Sequence, residues 1–341
     1  MLASHLGEKE NNLRQRLREW CWDKKDKQGK KRIDWQVSQS FAPLLKWIMS
    51  HWANEDRRLV LAIDATTLKL RFVVLSISVV YRGCAIPVAW AILPANQPGS
   101  WQLPWLKLFK DLRGAIPADW LVIVMADRGL YAHWLYEAIQ DCGWHPFLRI
   151  NLGGKYRPQG TATFLPMSQL LPSPGAVWAG RVTCFVNHSV EGSLLACWGK
   201  QYKEPWLILT DLPPELASAA WYGMRSWIED SFKDLKRDGW QWQNTRMTDP
   251  SRAARFWLAL AVATLWVVCV GGEADAHLPP SSLDRLPPTH IARRLISHSA
   301  QPRHLSCFSR GLIVILSALL AHRPIPFGFF FPEPWPLKTY P

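Results

Sequence analysis

The feature that most constrains the fold is a series of three apolar segments separated by very short connections. They cover residues 59–63, 72–80 and 84–93, and a Tyr-Arg-Gly tripeptide that ends at Gly83 predicts a turn between the last two. Connections of about eight and three residues are too short for helical crossovers, so the three strands must pair antiparallel as a meander. Their nearly continuous apolar character predicts a sheet that is buried on both faces.

The pattern after this meander alternates between helix and strand. Helical periodicity at residues 101–112 and 131–142 alternates with apolar strands at 120–126 and 146–150. Such alternation predicts parallel strands joined by right-handed crossovers. We therefore predict an α/β fold with a mixed five-stranded sheet and flanking helices.

Shifts in composition divide the chain into five regions. A small helical module with a basic loop is predicted for residues 1–58, and the first part of the core follows at 59–150. Residues 151–213 contain Gly-Gly, several prolines and three β-type segments, which predict an inserted β-rich subdomain. The core resumes with helical patterns at 214–272, and residues 273–341 form a Pro- and Arg-rich C-terminal region.

The charge balance favours a polyanionic partner. The 341 residues include 40 Lys and Arg against 27 Asp and Glu, a formal net charge of +13, which indicates nucleic acid first and an anionic membrane surface second. Five basic residues of the N-terminal module are candidate DNA contacts: Lys24, Lys25, Lys30, Lys31 and Arg32. A solvated loop without a partner explains this cluster equally well.

Other features of composition restrict the location. The seven cysteines include no CxxC pair, and the N-terminus is polar, so we expect a reducing cytoplasm, no zinc site and no secretion. The most apolar stretch, residues 256–270, is about fifteen residues long, shorter than the roughly 20 that a membrane span needs. We therefore predict a buried helix there and no membrane partner.

Two acidic residues follow predicted strands. Asp64 closes the first strand in Ile-Asp-Ala-Thr, and Asp127 closes the fourth in Ala-Asp-Arg-Gly. In α/β sheets, ligands bind in the crevice outside the carboxyl ends of the strands. The two carboxylates are expected to converge if these strands are neighbours, although a loop or cap role explains either residue alone.

A helix predicted over residues 215–237 supplies a third carboxylate. At 100° per residue, one flank of its buried stripe carries four functional side chains, and these are Tyr222, Arg225, Glu229 and Lys236. Asp230 points the other way. An ordinary ion pair between Arg225 and Glu229 explains part of this pattern. Three grouped carboxylates repel one another and require a cation, and oxygen ligands select Mg²⁺ or Mn²⁺.

The spacing of this flank resembles a known motif. Tyr222-x2-Arg225-x3-Glu229-x6-Lys236 is similar to the Y-R-E-K motif of the insertion-sequence-four class of DDE transposases. In their sequence contexts, Asp64 and Asp127 resemble the first and second catalytic acids of that family. The β-rich stretch lies where family members carry an inserted β-domain, and the resemblance covers about residues 59–270.

The resemblance implies a ribonuclease-H-like fold and metal-dependent phosphoryl transfer. Family members hydrolyse DNA at transposon ends and then join the ends to target DNA by strand transfer. By this resemblance, Asp64, Asp127 and Glu229 are the catalytic residues and hold Mg²⁺ or Mn²⁺, as two ions, while Tyr222, Arg225 and Lys236 bind DNA phosphates. The implied partners are terminal inverted repeats, target DNA and a second copy of the chain on DNA.

The resemblance also suggests a site for a flipped base. Some family members stack such a base on a tryptophan of the inserted domain, for which Trp178, Trp198 and Trp206 are candidates. With 21 tryptophans in the chain, a core position explains each of them as well.

Two other functions fit the same residues. A ribonuclease-H-like nuclease without strand transfer would need the same three acids. A catalytically silent DNA-binding relic of a mobile element would not need them, and the presence of all three acids disfavours it. Terminal inverted repeats in the DNA that flanks the gene would favour transposition.

Overall fold

The computed structural model describes residues 2–28, 32, 33, 35–53, 57–95, 101–200, 202–277 and 305–336. The strands in chain order are β1 (Arg58–Leu68), β2 (Phe72–Tyr81), β3 (Cys84–Pro94), β4 (Leu121–Ala126), β5 (His145–Arg149), β6 (Lys155–Pro158), β7 (Leu165–Pro166), β8 (Val177–Cys184), β9 (Val190–Cys197) and β10 (Trp206–Thr210). The α-helices are α1 (Leu2–His5), α2 (Glu10–Trp20), α3 (Phe41–Ser50), α4 (Gln102–Leu112), α5 (His133–Asp141), α6 (Trp227–Lys233), α7 (Pro250–His277) and α8 (Cys307–Leu320).

The first five strands form the predicted mixed sheet. Strands β1, β2 and β3 pair antiparallel as a meander. Strand β4 then pairs parallel with β1, and β5 pairs parallel with β4. Every residue of β2 is buried, which agrees with the prediction of a sheet covered on both faces.

The sheet has ten strands, so the prediction of five was wrong. Its strand order is β3-β2-β1-β4-β5-β10-β9-β8-β6-β7. The reason is that β10 pairs antiparallel with β5 and with β9. The β-rich stretch at 151–213 therefore extends the core sheet through its hydrogen bonds.

Strand β1 is longer than its apolar residues predict. Its pairing with β4 ends at Ala62, but its pairing with β2 continues to Leu68. The predicted eight-residue connection is thus mostly strand, and the turn to β2 is short. The expectation that Asp64 closes the strand was wrong, because the backbone of the polar residues after it is held by β2.

The helix predicted at 215–237 is built from three kinds of turn. It begins as a 3-10 helix at Ala219–Ser226, continues as α6, and ends as a π-helical turn at Asp234–Asp238. The side chain of Ser218 caps its start by accepting a hydrogen bond from the backbone N–H of Ala220 at 3.3 Å. The segment is continuous, so the predicted flank is preserved in outline.

Helix α7 lies against β3 and α8. Among the described residues, it is the one helix whose length and composition would allow it to cross a membrane, and 67% of its most apolar stretch is buried inside the protein. This burial agrees with the predicted buried helix. Helices α7 and α8 meet backbone to backbone at Gly271 and Gly311, where an added Cβ would collide with carbonyl groups of the opposite helix.

The N-terminal module lies against the start of α7. The indole of Trp20 donates to the carbonyl oxygen of Arg255 at 2.9 Å, and Arg255 donates to the carbonyl of Cys21 at 2.9 Å. Hydrogen bonds from Arg255 and Arg252 lower the pKa of Asp23. These contacts attach the module to the core.

The candidate basic run of this module is only partly described. Lys24, Lys25 and Arg32 are exposed, and Lys24 and Lys25 lie in a 3-10 turn. Lys30 and Lys31 lie outside the described residues. The division of the chain into five regions stays a prediction.

Candidate active site

The first two acids lie beside each other on neighbouring parallel strands. Asp64 is two residues beyond the last pair between β1 and β4, which joins Ala62 to Met125. Asp127 follows the last residue of β4 directly. Because β1 and β4 are parallel neighbours, both side chains leave the sheet at the same edge, as predicted.

Local hydrogen bonds orient both carboxylates. Asp64 Oδ1 accepts a bond from the backbone N–H of Ala65 at 2.8 Å. Asp127 Oδ1 accepts bonds from the backbone N–H groups of Gly129 at 3.0 Å and Leu130 at 3.2 Å. In each residue Oδ1 is therefore committed to the backbone, and Oδ2 is directed into the site.

Arg225 brings the three predicted acids together. Its Nη2 lies 2.8 Å from Asp64 Oδ2 and 3.8 Å from Asp127 Oδ2, and its Nη1 donates to Glu229 Oε1. The Arg225 side chain is 10% exposed, whereas that of Glu229 is 53% exposed. The site is thus a buried guanidinium ringed by carboxylates that open to solvent on the Glu229 side.

Burial and charge act in opposite directions within this cluster. Burial raises the pKa of Asp64, and the Arg225 guanidinium only partly offsets this effect. Burial would by itself lower the pKa of Arg225, but the three acids and Tyr222 raise it overall. Arg225 Nε is buried without a hydrogen-bond partner among the described residues. The guanidinium is therefore held mainly by its ionic contacts with the acids, because its hydrogen bonding is incomplete.

Two further side chains of the flank face the same edge of the sheet. The hydroxyl of Tyr222 donates to the carbonyl of Ala126 at 3.3 Å, one residue before Asp127. Lys236 Nζ donates to Thr66 Oγ1 at 2.6 Å, two residues after Asp64. Burial raises the pKa of Tyr222 and lowers the pKa of Lys236. All four residues of the predicted flank thus lie along the two strands that carry the acids.

The donor set suits a divalent metal. Three carboxylates with no Cys or His partner are hard oxygen ligands, which Mg²⁺ and Mn²⁺ prefer. No group of three such residues within the described part of the chain is arranged to hold a metal ion. Arg225 explains this, because Asp64 and Asp127 face one guanidinium nitrogen and Glu229 faces the other. The guanidinium supplies the positive charge that a metal would supply.

An ion-pair bridge beside Asp127 was not predicted from the sequence. Glu204, near the end of the β-rich stretch, accepts hydrogen bonds from Arg128 at 2.7 Å and from Arg149 at 2.9 Å. The bond from Arg128 is the main cause of a lowered pKa for Glu204. The bridge ties the loop after Asp127 to the inserted stretch. The sequence contains no local signal for this bridge, because Arg128 and Glu204 are 76 residues apart.

The three candidate tryptophans make different contacts. Trp206 stacks on Tyr202 with ring centres 4.7 Å apart and meets Tyr222 edge-on at 5.2 Å. Trp178 packs against Tyr156, and the indole of Trp198 donates to the carbonyl of Tyr202. Of the three, Trp206 directly contacts a residue of the flank.

Comparison with known proteins bears on this site. Residues 104–266 match the family model of the transposase DDE domain. This match supports a DDE transposase. The matched segment contains Asp127 and the whole 222–236 flank and begins after Asp64. A transposase acts on DNA, which agrees with the positive charge of the chain.

Other comparisons add little. The crystal structure of human ENDOV is similar at 12% sequence identity and a TM-score of 0.28, covering 66% of this chain and 98% of that chain. A TM-score this low supports no conclusion about function. No curated protein matches the sequence at a significant level.

Proposed function

We propose that the protein is a cut-and-paste DNA transposase of the insertion-sequence-four class, with a ribonuclease-H-like catalytic core. The observation that carries this proposal is the convergence of Asp64, Asp127 and Glu229 on the guanidinium of Arg225. An isolated helical ion pair would involve only Arg225 and Glu229. The contact of Arg225 with two acids from the sheet supports a shared site.

The proposed ligands for two Mg²⁺ or Mn²⁺ ions are Asp64, Asp127 and Glu229. Bound ions would activate the attacking oxygen and stabilise the leaving oxygen of an in-line phosphoryl transfer. Backbone hydrogen bonds hold Oδ1 of both aspartates, and Oδ2 of each faces Arg225. Glu229 is the most exposed of the three acids and lies where DNA can approach.

Tyr222, Arg225 and Lys236 are the proposed phosphate-binding residues. A guanidinium can hold a phosphate with two parallel hydrogen bonds, and an ammonium group adds a compact charge. If the three acids held divalent ions, the guanidinium of Arg225 would be available to a DNA phosphate. In the first chemical step, water attacks the phosphorus at the transposon end, and the bond to the 3′ oxygen breaks. In strand transfer, the freed 3′-hydroxyl attacks a phosphorus of the target DNA, and the bond from that phosphorus to the 3′ oxygen of the target strand breaks.

The remaining assignments concern partners and location. The proposed substrates are terminal inverted repeats and target DNA, bound by a homodimer in the cytoplasm without a membrane partner. End recognition is assigned to the basic N-terminal module, since Lys24, Lys25 and Arg32 are exposed. Trp206 is the leading candidate for stacking a flipped base because it contacts Tyr222.

Excision and reintegration in cells test the proposal. A marker placed between the DNA segments that flank the gene is supplied on a plasmid, and the protein is expressed separately. Joined ends at new sites, each bounded by a short direct repeat, are the expected result. Ends that are cut but never joined would instead show a nuclease without strand transfer. DNA binding with no cutting would show a silent relic.

A further inference from the structure

A basic pocket lies beside the turn that joins β1 and β2. It has a volume of about 360 Å³ and is lined by Lys69, Arg71, Gln243, Asn244, Thr245 and Arg246. We call it the hairpin pocket. Three of its lining residues are cations and none is an acid, so an anion is the ligand that its charge favours.

The two walls of the hairpin pocket are fixed to each other. Arg71 Nη1 donates to the carbonyl of Thr245 at 2.6 Å and to that of Met247 at 2.9 Å. These bonds join the hairpin turn to the segment that follows the 222–236 flank. The pocket is therefore built before any ligand arrives, which lowers the cost of ordering side chains on binding.

Two of the three cations of the hairpin pocket are uncommitted. Lys69 and Arg246 are exposed, and neither makes a side-chain hydrogen bond or an ion pair with another described residue. Gln243 Oε1 is buried without a hydrogen-bond partner in the described part of the chain.

The position of the hairpin pocket connects it to the candidate active site. A β-strand rises roughly 3.3 Å per residue, so the end of β1 at Leu68 lies about 13 Å from Asp64. Thr66 lies on the same face of the strand, between these two residues. Lys236 is bonded to Thr66, halfway along this path. Cations thus follow β1 from Arg225 to Lys236 to the hairpin pocket.

The hairpin also projects away from the core. Leu70, at the turn between Lys69 and Arg71, is 94% exposed. A protruding turn flanked by cations can contact a long ligand that extends beyond the active site. This geometry favours a polymer over a small phosphate compound.

We propose that the hairpin pocket binds a backbone phosphate of duplex DNA outside the candidate active site. The length of β1 between Asp64 and the turn, about 13 Å, places this phosphate at a different nucleotide from the one that is cleaved. This inference rests on the proposed function, because it assigns a second contact to the same DNA. It adds Lys69, Arg71 and Arg246 to the residues that position the substrate.

A salt titration of DNA binding tests the inference. The double variant Lys69→Gln/Arg246→Gln removes two cations that hold no described partner and leaves Arg71 in place. The matched control, Lys107→Gln/Lys110→Gln, removes the same charge from α4, which does not line the pocket. Affinity for a short mixed-sequence duplex is measured by fluorescence anisotropy between about 50 and 200 mM salt, with EDTA present so that no cleavage occurs.

The expected result is a flatter salt dependence for the double variant alone. Each lost phosphate contact lowers the slope of log K against log salt by about 0.9, so for the one phosphate of the pocket we expect a decrease of about 0.9 and a roughly tenfold weaker affinity near 0.1 M salt. The control should keep the wild-type slope. A double variant with the wild-type slope, or one equal to the control, would overturn the inference and leave the proposed function standing. A wild-type protein that binds no duplex DNA would overturn both.

Discussion

At the scale of single residues, Arg225 determines the state of the candidate site when no metal is bound. Three carboxylates on two strands and a helix would repel one another, and one guanidinium offsets this repulsion by contacting all of them. The energetic consequence is that the acids and the cation depend on each other. Removing one partner of such a buried group costs more than the pair itself contributes.

We predict that Arg225→Ala lowers stability in EDTA and increases the response to Mg²⁺. Loss of the guanidinium leaves buried charge unpaired, which should cost about 3 kcal/mol and lower Tm by roughly 4 °C. The freed carboxylates should then bind Mg²⁺ more tightly, so the ion should raise Tm more than it does in the wild type. Thermal unfolding with and without Mg²⁺ measures both effects. Arg237→Ala, an exposed residue in the same helical segment, is the control.

The same residues show what the sequence can predict about a site. The helical wheel places Arg225 and Glu229 on one flank because their spacing alone determines it. The contacts of Arg225 with Asp64 and Asp127 depend on how the helix packs on the sheet, which periodicity does not encode. The ion pair between Glu204 and Arg128 is even harder to predict from the sequence, because it depends on the fold of the inserted stretch.

At the scale of elements, backbone contact between α7 and α8 is the most restrictive packing. Both helices place a glycine at the crossing. An added methyl group there would meet backbone atoms, which cannot rotate aside as a side chain can.

We predict that Gly311→Ala destabilises the protein by about 2 kcal/mol or more. In an exposed helix the same change would be stabilising by up to about 1 kcal/mol, because alanine favours the helical conformation. A destabilising effect of Gly311→Ala would therefore indicate that the two helices are in backbone contact at this position. Gly153→Ala is the control, since its added Cβ would meet nothing within 4 Å. If chemical denaturation showed Gly311→Ala to be as stable as the wild type, the packing of α8 on α7 would be wrong.

Helices and strands were predictable where the lengths of the connections and the pattern of apolar residues determine them. Short connections require the antiparallel meander of β1, β2 and β3, and helices between strands require the parallel pairs. The second half of β1 was not predictable, because the residues from Asp64 to Thr67 are polar or small. Backbone pairing with β2 holds this half in place. The pattern of apolar residues in the sequence gives no indication of such pairing.

At the scale of the whole molecule, one continuous sheet connects the acids to the inserted stretch. Strand β10 pairs with β5, so the β-rich residues are attached to the core by hydrogen bonds along a strand as well as by the chain. Pairing partners of an insertion depend on which edge of the core sheet is open. The sequence does not identify that edge, and this explains why a five-stranded sheet was predicted.

The central claim is that Glu229 completes a metal-dependent catalytic site with Asp64 and Asp127. The most direct test is the rate of Mg²⁺-dependent or Mn²⁺-dependent nicking of a plasmid that carries the DNA flanking the gene. The variant Glu229→Gln keeps the shape of the side chain and removes its charge. Its neighbour Asp230, which pairs with Lys233 at 2.5 Å, provides the matched control Asp230→Asn.

The account predicts that Glu229→Gln nicks at least about a hundredfold more slowly, a loss of roughly 2.7 kcal/mol of transition-state stabilisation. Asp230→Asn should nick at nearly the wild-type rate, because its side chain faces away from the other acids. Equal nicking by Glu229→Gln and the wild type, or loss of nicking in Asp230→Asn alone, would contradict the claim.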